Sequence, residues 1–490
     1  MSTIEEKVTP EPSLGNQVSR ALGWSSLAQI LGRLGSFVVG IVLARLLTQE
    51  DFGVYAVTLV AVNLLIVVND LGVIAAVIRW QGDDVERAAR TGATLSIAFS
   101  FGTFALACLA AGPFARAMGV PEADDLVRVV SSVILVDGLS AAHQAILVRT
   151  FRNDRLAYAE LTGFLVGTPV TIALAVAGAG PWSVVVGRVV GAIAVGLMVV
   201  HYAPFSIRPA FDRPLASSLV RFGAPLALSA LVAQAVLNVD YMIVGRELGA
   251  VELGIYLLAF NLSGWPASLV STAIARVAFA GFSRLVEDRD RLRAAFPRSI
   301  GVALAVLVPL VIVLGILAPE VITLVYGERW AEAAVPLRFL VVLGGGRILF
   351  DLLLDLSIAD GRSVTALVVR TAWLVALVPT MAVGAATAGL KGVGIAHLAV
   401  GCLVVLPLLL RDARRSGLSP RDLGQYAGRP IVAGLVSTAA MLLTLPLVAG
   451  DFARLVVVGA VGGVSYLAVL LPRNPLVGWV ISRVRPSPAV

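Results

Sequence analysis

Polar side chains recur at helical spacing inside the long apolar segments of this chain. In the first segment Gln29 and Arg33 lie one turn apart, with serines at positions 25 and 36 on the same face. A charged group at the centre of a membrane helix costs about 2.5–3.5 kcal/mol on insertion scales. Because no acidic residue near Arg33 in this segment offsets that cost, we interpret Arg33 as a ligand-binding group that faces a cavity.

Carboxylates in other apolar segments could carry a cation. Arg347, Asp351 and Asp355 are spaced four apart, after three successive glycines that we expect to be flexible. Asp240 lies beside the polar face that carries Asn238. Arg347 and Asp351 could also neutralise each other as an i,i+4 pair, so a structural and a functional interpretation both stand.

The remaining charges inside apolar segments are single. Arg188, Arg276 and Arg370 each lie without an opposite charge at helical spacing. We interpret His143 and His397 as core histidines whose nitrogens are satisfied by neighbours.

The elements that hold these residues are apolar segments long enough to cross a bilayer. The 490 residues are 58% hydrophobic and 14% charged, with a mean hydropathy of +0.92, whereas about a quarter of a soluble domain is charged. A span takes about 20 apolar residues. The hydropathy predicts 14 spans: 18–46, 53–77, 89–112, 124–148, 156–179, 182–203, 219–245, 253–279, 299–318, 335–358, 364–386, 391–410, 430–449 and 453–471.

Basic residues lie mainly on one side of these spans. The two tails and the even-numbered gaps, with the span ends beside them, carry 25 Lys and Arg residues, and the odd-numbered gaps with their span ends carry eight. An excess of base in short loops marks the cytoplasmic side, so both termini are expected there. The net charge of +7 follows from this bias and does not indicate a nucleic-acid partner.

A repeated motif divides the chain into halves. Residues 43–55 match residues 244–256 at an offset of 201, which superposes Arg45 on Arg246 and Gly53 on Gly254. Both arginines are expected at helix C-termini, where a cation meets the negative end of the helix dipole. The predicted organisation is a cytoplasmic tail (1–17), an N-lobe of six spans (18–203), a linker (204–218), a C-lobe of six spans (219–410), a loop (411–429), two further spans (430–471) and a cytoplasmic tail (472–490).

Glycine pairs at a spacing of four residues predict close helix packing. They are Gly187 with Gly191 and Gly459 with Gly463.

Several chemistries are missing from the pattern. There is no Gly-x-x-x-x-Gly-Lys-Ser/Thr sequence and no metal-ligand spacing, and Cys108 and Cys402 lie in separate apolar segments. The first 17 residues lack the regions of a signal peptide. We expect no cofactor, no metal and no enzymatic activity, and energy from an ion gradient, from the membrane potential or from substrate pull.

Six short sequences together resemble a known family. They are residues 23–26 (Gly-Trp-Ser-Ser), 43–55, 69–72 (Asn-Asp-Leu-Gly), 78–79 (Ile-Arg), 240–246 and 253–256. In this order they resemble the polysaccharide transporter family, the oligosaccharide flippases of the multidrug/oligosaccharidyl-lipid/polysaccharide exporter superfamily.

The resemblance implies an all-α membrane protein with two parallel-repeat lobes around a cationic cavity, plus two C-terminal helices. Such proteins move undecaprenyl-diphosphate-linked sugar repeats across the cytoplasmic membrane by alternating access. Guanidinium groups suit a diphosphate. The substrate-binding candidates are Arg33, Gln29, Arg188, Arg276, Arg347 and Asn238. The candidates for coupling to protons or sodium are Asp240, Asp351 and Asp355. The expected partners are the lipid-linked oligosaccharide, membrane lipids and polysaccharide polymerase machinery.

Three alternatives remain open. A cation-coupled multidrug antiporter of the same superfamily would favour an acidic cavity, and the aspartates at 70, 137, 240, 351 and 355 offset the five arginines numerically. A polytopic enzyme of polysaccharide synthesis would need a larger outer loop than residues 318–334. A lipid II flippase would differ only in cargo.

Overall fold

The protein is described by a computed structural model that covers residues 32, 35–70, 77–78, 80, 84–150, 152–203, 208–267, 289–359 and 362–471. Within these ranges the regular structure is helical and contains no strand. Nine stretches of the described chain are long and apolar enough to cross a membrane. The all-α membrane fold is therefore confirmed, and the count of 14 spans stays a prediction.

We number the helices of the described ranges in chain order. They are α1 (Gly35–Leu46), α2 (Gln49–Asp70), α3 (Val85–Ala117), α4 (Asp124–Val130), α5 (Val133–Arg149), α6 (Asn153–Val176), α7 (Trp182–Tyr202), α8 (Arg213–Leu248), α9 (Ala250–Ser263), α10 (Arg289–Ile316), α11 (Ala318–Tyr326), α12 (Ala334–Ala359), α13 (Ser363–Val400), α14 (Leu406–Arg415), α15 (Pro420–Thr444) and α16 (Asp451–Leu470).

Helix α13 contains a sharp break that corresponds to a predicted span boundary. Ala388 and Gly389 leave the helical conformation, and Gly389 has a φ of +56°, which an L side chain rarely adopts. The break lies between the predicted spans 364–386 and 391–410; the first span lies in the first arm of α13, and the second span begins in the second arm and extends past its end at Val400. A π-helical turn at Gly401–Val405 then leads into α14.

The described residues divide into two compact units. The first comprises the described residues up to Thr48, together with Val57–Arg116 and Pro121–Ala235. The second comprises Gln49–Ala56, Ala117–Val120 and the described residues from Val236 onward.

In the first unit, α6 and α7 pack backbone against backbone through glycines. A Cβ atom on Gly167 would lie 2.6 Å from the carbonyl oxygen of Gly187, and one on Gly191 would lie 3.0 Å from that of Gly163. Only glycine permits this approach, so the packing predicted for Gly187 and Gly191 is confirmed. Their partners, Gly163 and Gly167, have the same spacing on α6.

The same prediction for Gly459 and Gly463 of α16 is wrong. A Cβ atom on Gly463 would meet nothing within 4 Å, and one on Gly459 only the end of a leucine side chain at 3.9 Å. The tight position is Gly462, where a Cβ atom would meet the side chain of Met441 on α15. The helix face that meets α15 is thus rotated by one residue from the predicted one.

The two copies of the repeated motif contact each other inside the second unit. A Cβ atom on Gly53 of α2 would collide with the carbonyl oxygen of Ala250, and one on Gly254 of α9 would collide with that of Gln49. The offset of 201 takes Gln49 onto Ala250 and Gly53 onto Gly254. The contact is therefore reciprocal, as expected of two copies related by a two-fold axis.

The last two helices pack against α10 in the second unit. Leu317, Met441 and Val458 form an apolar cluster between α10, α15 and α16. The Tyr466 hydroxyl of α16 donates a hydrogen bond to the carbonyl oxygen of Ala305 at 3.1 Å. These helices lie outside the repeat but share a core with the second half.

We expect Gly191→Leu to destabilise the protein by about 1–3 kcal/mol, because the new side chain has no space against α6. Thermal unfolding of the purified protein in detergent would measure the change. Gly463→Leu is the matched control, since it adds the same side chain to a membrane helix at a position with open space. Equal melting temperatures for the two variants would contradict the proposed packing.

Candidate functional site

Four charged side chains lie on neighbouring helices of the second unit. Asp351 and Asp355 of α12 are exposed, Arg347 one turn earlier is half-buried, and Arg370 of the adjacent α13 is exposed. Arg370 acts electrostatically on both carboxylates. Charged groups of membrane helices face a cavity or a partner rather than lipid. We call these four residues the charged face.

The glycines before Arg347 fix α12 against its neighbours. A Cβ atom on Gly344 would lie 2.5 Å from the carbonyl oxygen of Ser263, and one on Gly345 would lie 2.7 Å from the side chain of Val311. The expectation of a flexible segment is therefore wrong for these glycines: the segment is helical, and the missing side chains allow α12 to approach α9 and α10.

A second group of titratable side chains is enclosed in the same unit. Asp240 of α8, Tyr256 of α9 and His397 of α13 are each at most 4% exposed. The Tyr256 hydroxyl donates to Asp240 Oδ2 at 2.8 Å, and its oxygen lies 3.1 Å from His397 Nε2. Asp240 Oδ2 and His397 Nε2 are 4.0 Å apart. We call these three residues the buried triad.

The charge of Arg347 reaches the buried triad. Its guanidinium acts electrostatically on Asp240, Tyr256 and His397. Arg347 thus belongs to the charged face and also influences the enclosed carboxylate, so it links two groups that the sequence treats separately.

The first unit contains a buried polar network of its own. The Asn69 amide donates to Asp137 Oδ2 at 3.0 Å, and the Ser100 hydroxyl donates to Asn69 Oδ1 at 2.8 Å. The network joins α2, α3 and α5. Because donors and acceptors match, a carboxylate can lie inside this unit without an opposite charge beside it.

The remaining candidates differ in position. Arg188 of α7 is exposed, and Asn238 of α8 is buried. Gln29, Arg33 and Arg276 lie outside the described residues. The binding and coupling roles assigned to all of these residues stay predictions.

Sequence reasoning missed several members of these groups. The sequence identifies Tyr256 only as part of the repeated motif, and Asn69 only as part of the family resemblance. His397 was interpreted as a satisfied core histidine, yet its Nδ1 has no hydrogen-bond partner among the described residues. The available signal was the pairing of a motif tyrosine with an aspartate 16 residues earlier, but spacing alone does not reveal the third partner.

A family model described as "Polysaccharide biosynthesis protein" matches residues 42–335. The match covers more than half of the 490 residues. The chain is a multi-pass membrane protein and belongs to this family, as the sequence resemblance predicted.

Two curated relatives give the family a context. The chain is 29% identical to the succinoglycan biosynthesis transport protein ExoT of Rhizobium meliloti over 335 aligned residues. This alignment covers 67% of this chain and 66% of the relative. It is 24% identical to the lipopolysaccharide biosynthesis protein WzxC of Escherichia coli over 395 aligned residues, and this alignment covers 79% of each chain.

The fold is shared with a solved transporter. The lipid II flippase MurJ, in an inward closed conformation, superposes with a TM-score of 0.79 over 94% of this chain and 99% of its own. The sequence identity is 14%, so this likeness concerns the fold.

We expect Asn69→Leu to destabilise the protein by about 1–3 kcal/mol, because it leaves the Asp137 carboxylate and the Ser100 hydroxyl without their amide partner. The double variant Asn69→Leu/Asp137→Leu should recover part of that loss, since both polar partners are then replaced. Thermal unfolding in detergent would measure both. Strictly additive effects would contradict the direct coupling of the two side chains.

Proposed function

We propose that this protein is a flippase that moves undecaprenyl-diphosphate-linked oligosaccharide precursors of cell-surface polysaccharide across the cytoplasmic membrane by alternating access. The observation that carries the proposal is the charged face, which lies on helices of a membrane protein of the polysaccharide biosynthesis family. Apolar cargo would not require guanidinium and carboxylate groups there.

The cargo explains why both signs of charge are useful. Burying one unpaired hydroxyl costs about 4–8 kcal/mol against a hydrocarbon reference, so a sugar chain cannot cross a bilayer unaided. Carboxylates such as Asp351 and Asp355 accept hydrogen bonds from sugar hydroxyls, and guanidinium groups such as Arg347 bind phosphate oxygens in pairs. We assign contacts with the diphosphate and with acidic sugars to four arginines, Arg33, Arg188, Arg276 and Arg347. We assign further substrate contacts to Gln29 and Asn238.

The relatives support this cargo class. One is named as a succinoglycan biosynthesis transport protein and the other as a lipopolysaccharide biosynthesis protein, so both names concern saccharide polymers. The similarity to these proteins favours a lipid-linked sugar over a drug cation. Polysaccharide polymerase machinery would take up the translocated product.

The charge distribution supports an orientation with both termini in the cytoplasm. Of the basic residues in the tails, in the gaps and at the span ends beside them, 25 lie on the side of the termini and eight on the opposite side. In this orientation residues 318–334 face outward. They form α11 and a short 3₁₀ segment, which offers little room for an active site and supports a transporter rather than an enzyme.

An ion gradient is the energy source that fits the sequence. The membrane potential supplies about 2.3 kcal/mol per charge for each 100 mV. We assign coupling to Asp240, Asp351 and Asp355, because carboxylates inside a membrane protein are the usual carriers of protons or sodium.

Reconstitution in liposomes tests the function. A fluorescent undecaprenyl-diphosphate oligosaccharide is placed in both leaflets, and its accessibility to a membrane-impermeant quencher is followed. We expect Arg347→Ala to slow translocation roughly 10–100-fold, because a charge-assisted contact to phosphate contributes about 1.5–3 kcal/mol. Arg338→Ala is the matched control: Arg338 is an exposed arginine near the start of the same helix, outside the charged face.

Two results would contradict the proposal in different ways. Equal rates for Arg347→Ala and Arg338→Ala would remove the charged face from the transport path. Efflux of a lipophilic cation, without translocation of any glycolipid, would instead favour the multidrug antiporter.

A further inference from the structure

Three titratable side chains from three helices form a continuous chain inside the second unit. From their geometry we propose that Asp240, Tyr256 and His397 form a proton relay, so that the coupling ion is a proton and not sodium. The inference rests on the proposed function for the transport that the proton would drive. It adds Tyr256 and His397 to the machinery and excludes one of the two candidate ions.

With Asp240 ionised, the hydrogen-bond pattern fixes where the protons lie. A tyrosine hydroxyl has one proton, and that of Tyr256 is donated to Asp240 Oδ2 at 2.8 Å. At 3.1 Å, His397 Nε2 can then interact with the Tyr256 oxygen only by donating its own proton to it. The neutral imidazole therefore carries its proton on Nε2, and its Nδ1 holds a free lone pair.

A proton enters the relay by binding this lone pair. His397 Nδ1 is buried and has no hydrogen-bond partner in the described part of the chain. A buried polar atom without a partner is costly, and in native proteins it commonly marks a functional position. All three residues are at most 4% exposed, so in this conformation the relay is closed to water.

One proton can be stored without building up charge. When a proton binds His397 Nδ1, the Nε2 proton passes to the Tyr256 oxygen, and the hydroxyl proton passes to Asp240 Oδ2. The products are a neutral carboxylic acid, an intact hydroxyl and a neutral imidazole protonated on Nδ1. No electron is transferred, and the enclosed carboxylate loses its charge, which lowers its burial cost.

The same contacts disfavour sodium. Asp240 Oδ1 accepts the backbone N–H of Tyr241 at 3.0 Å, and Oδ2 accepts the Tyr256 hydroxyl. Sodium sites in transporters use carbonyl oxygens of unwound helices, whereas α8 and α9 are helical at these residues. The described residues contain no group of three or more carboxylate, imidazole or thiol side chains arranged to hold a metal ion.

The surrounding charges connect the relay to the substrate. Arg347 of α12 interacts electrostatically with all three members. Tyr241 of α8 follows Asp240 in the chain, and Tyr55 of α2 interacts electrostatically with Tyr241. Neutralising Asp240 therefore removes a negative charge that acts on Arg347. Because Arg347 also belongs to the charged face, protonation of the relay alters the attraction of that face for an anionic cargo.

Liposomes with a clamped membrane potential separate the two ions. A pH gradient or a sodium gradient is imposed alone, and the steady-state distribution of the fluorescent glycolipid between leaflets is measured. A gradient of about one pH unit should shift the leaflet ratio roughly tenfold per coupled proton, and a sodium gradient should not shift it. His397→Gln, Tyr256→Phe and Asp240→Asn should each abolish the shift.

The matched control is His143→Gln. His143 of α5 is also buried, and its Nδ1 also lacks a partner, but it has no carboxylate partner among the described residues. This variant should keep the pH-driven shift. A shift driven by sodium alone, or one that persists in His397→Gln, overturns the relay and leaves the flippase function intact.

A second measurement does not depend on transport. Infrared difference spectra of the purified protein after a pH step should contain the carbonyl band of a protonated carboxyl group. The band should be lost in Asp240→Asn, displaced in Tyr256→Phe and unchanged in His143→Gln. A spectrum in which Asp240→Asn removes no band overturns the relay, whereas absence of glycolipid translocation under every gradient contradicts the proposed function alone.

Discussion

The absence of water from the bilayer interior is the constraint on which the described structure depends. A polar group that leaves water must find its partner within the protein, because lipid offers none. The two units meet this requirement in different ways. In the first unit, the amide of Asn69 satisfies both Asp137 and Ser100. In the second unit, one tyrosine hydroxyl stands between a carboxylate and an imidazole.

The same constraint separates the charged groups of the second unit by their surroundings. Asp351 and Asp355 of α12 and Arg370 of α13 are exposed, and lipid would be a poor environment for them. Asp240 lies fully inside, and its oxygens are held by fixed donors. Arg347 lies between these two environments.

The sequence predicted the elements better than their contacts. Hydropathy is a property of a segment itself, and it predicted apolar helices and a span boundary between residues 386 and 391, where α13 breaks. The pairing of Gly187 with α6 followed from spacing, but the equivalent spacing at Gly459 and Gly463 did not, because the face that meets a neighbour is decided by the neighbour. The contact of Asp240 with His397, 157 positions later, depends on packing of three helices and has no local signature.

The reciprocal contact of Gly53 and Gly254 has a consequence for the origin of the chain. In it, each motif offers a glycine to the carbonyl of the other, which is the form of an interface between two identical subunits. An ancestor of half the length, carrying one motif, would make this contact as a homodimer. In such a dimer every substitution falls on both sides of the axis at once. Once the copies are fused in a single chain, each side can vary alone, as Asp51 and Glu252 have, while the crowded axis retains glycine in both copies.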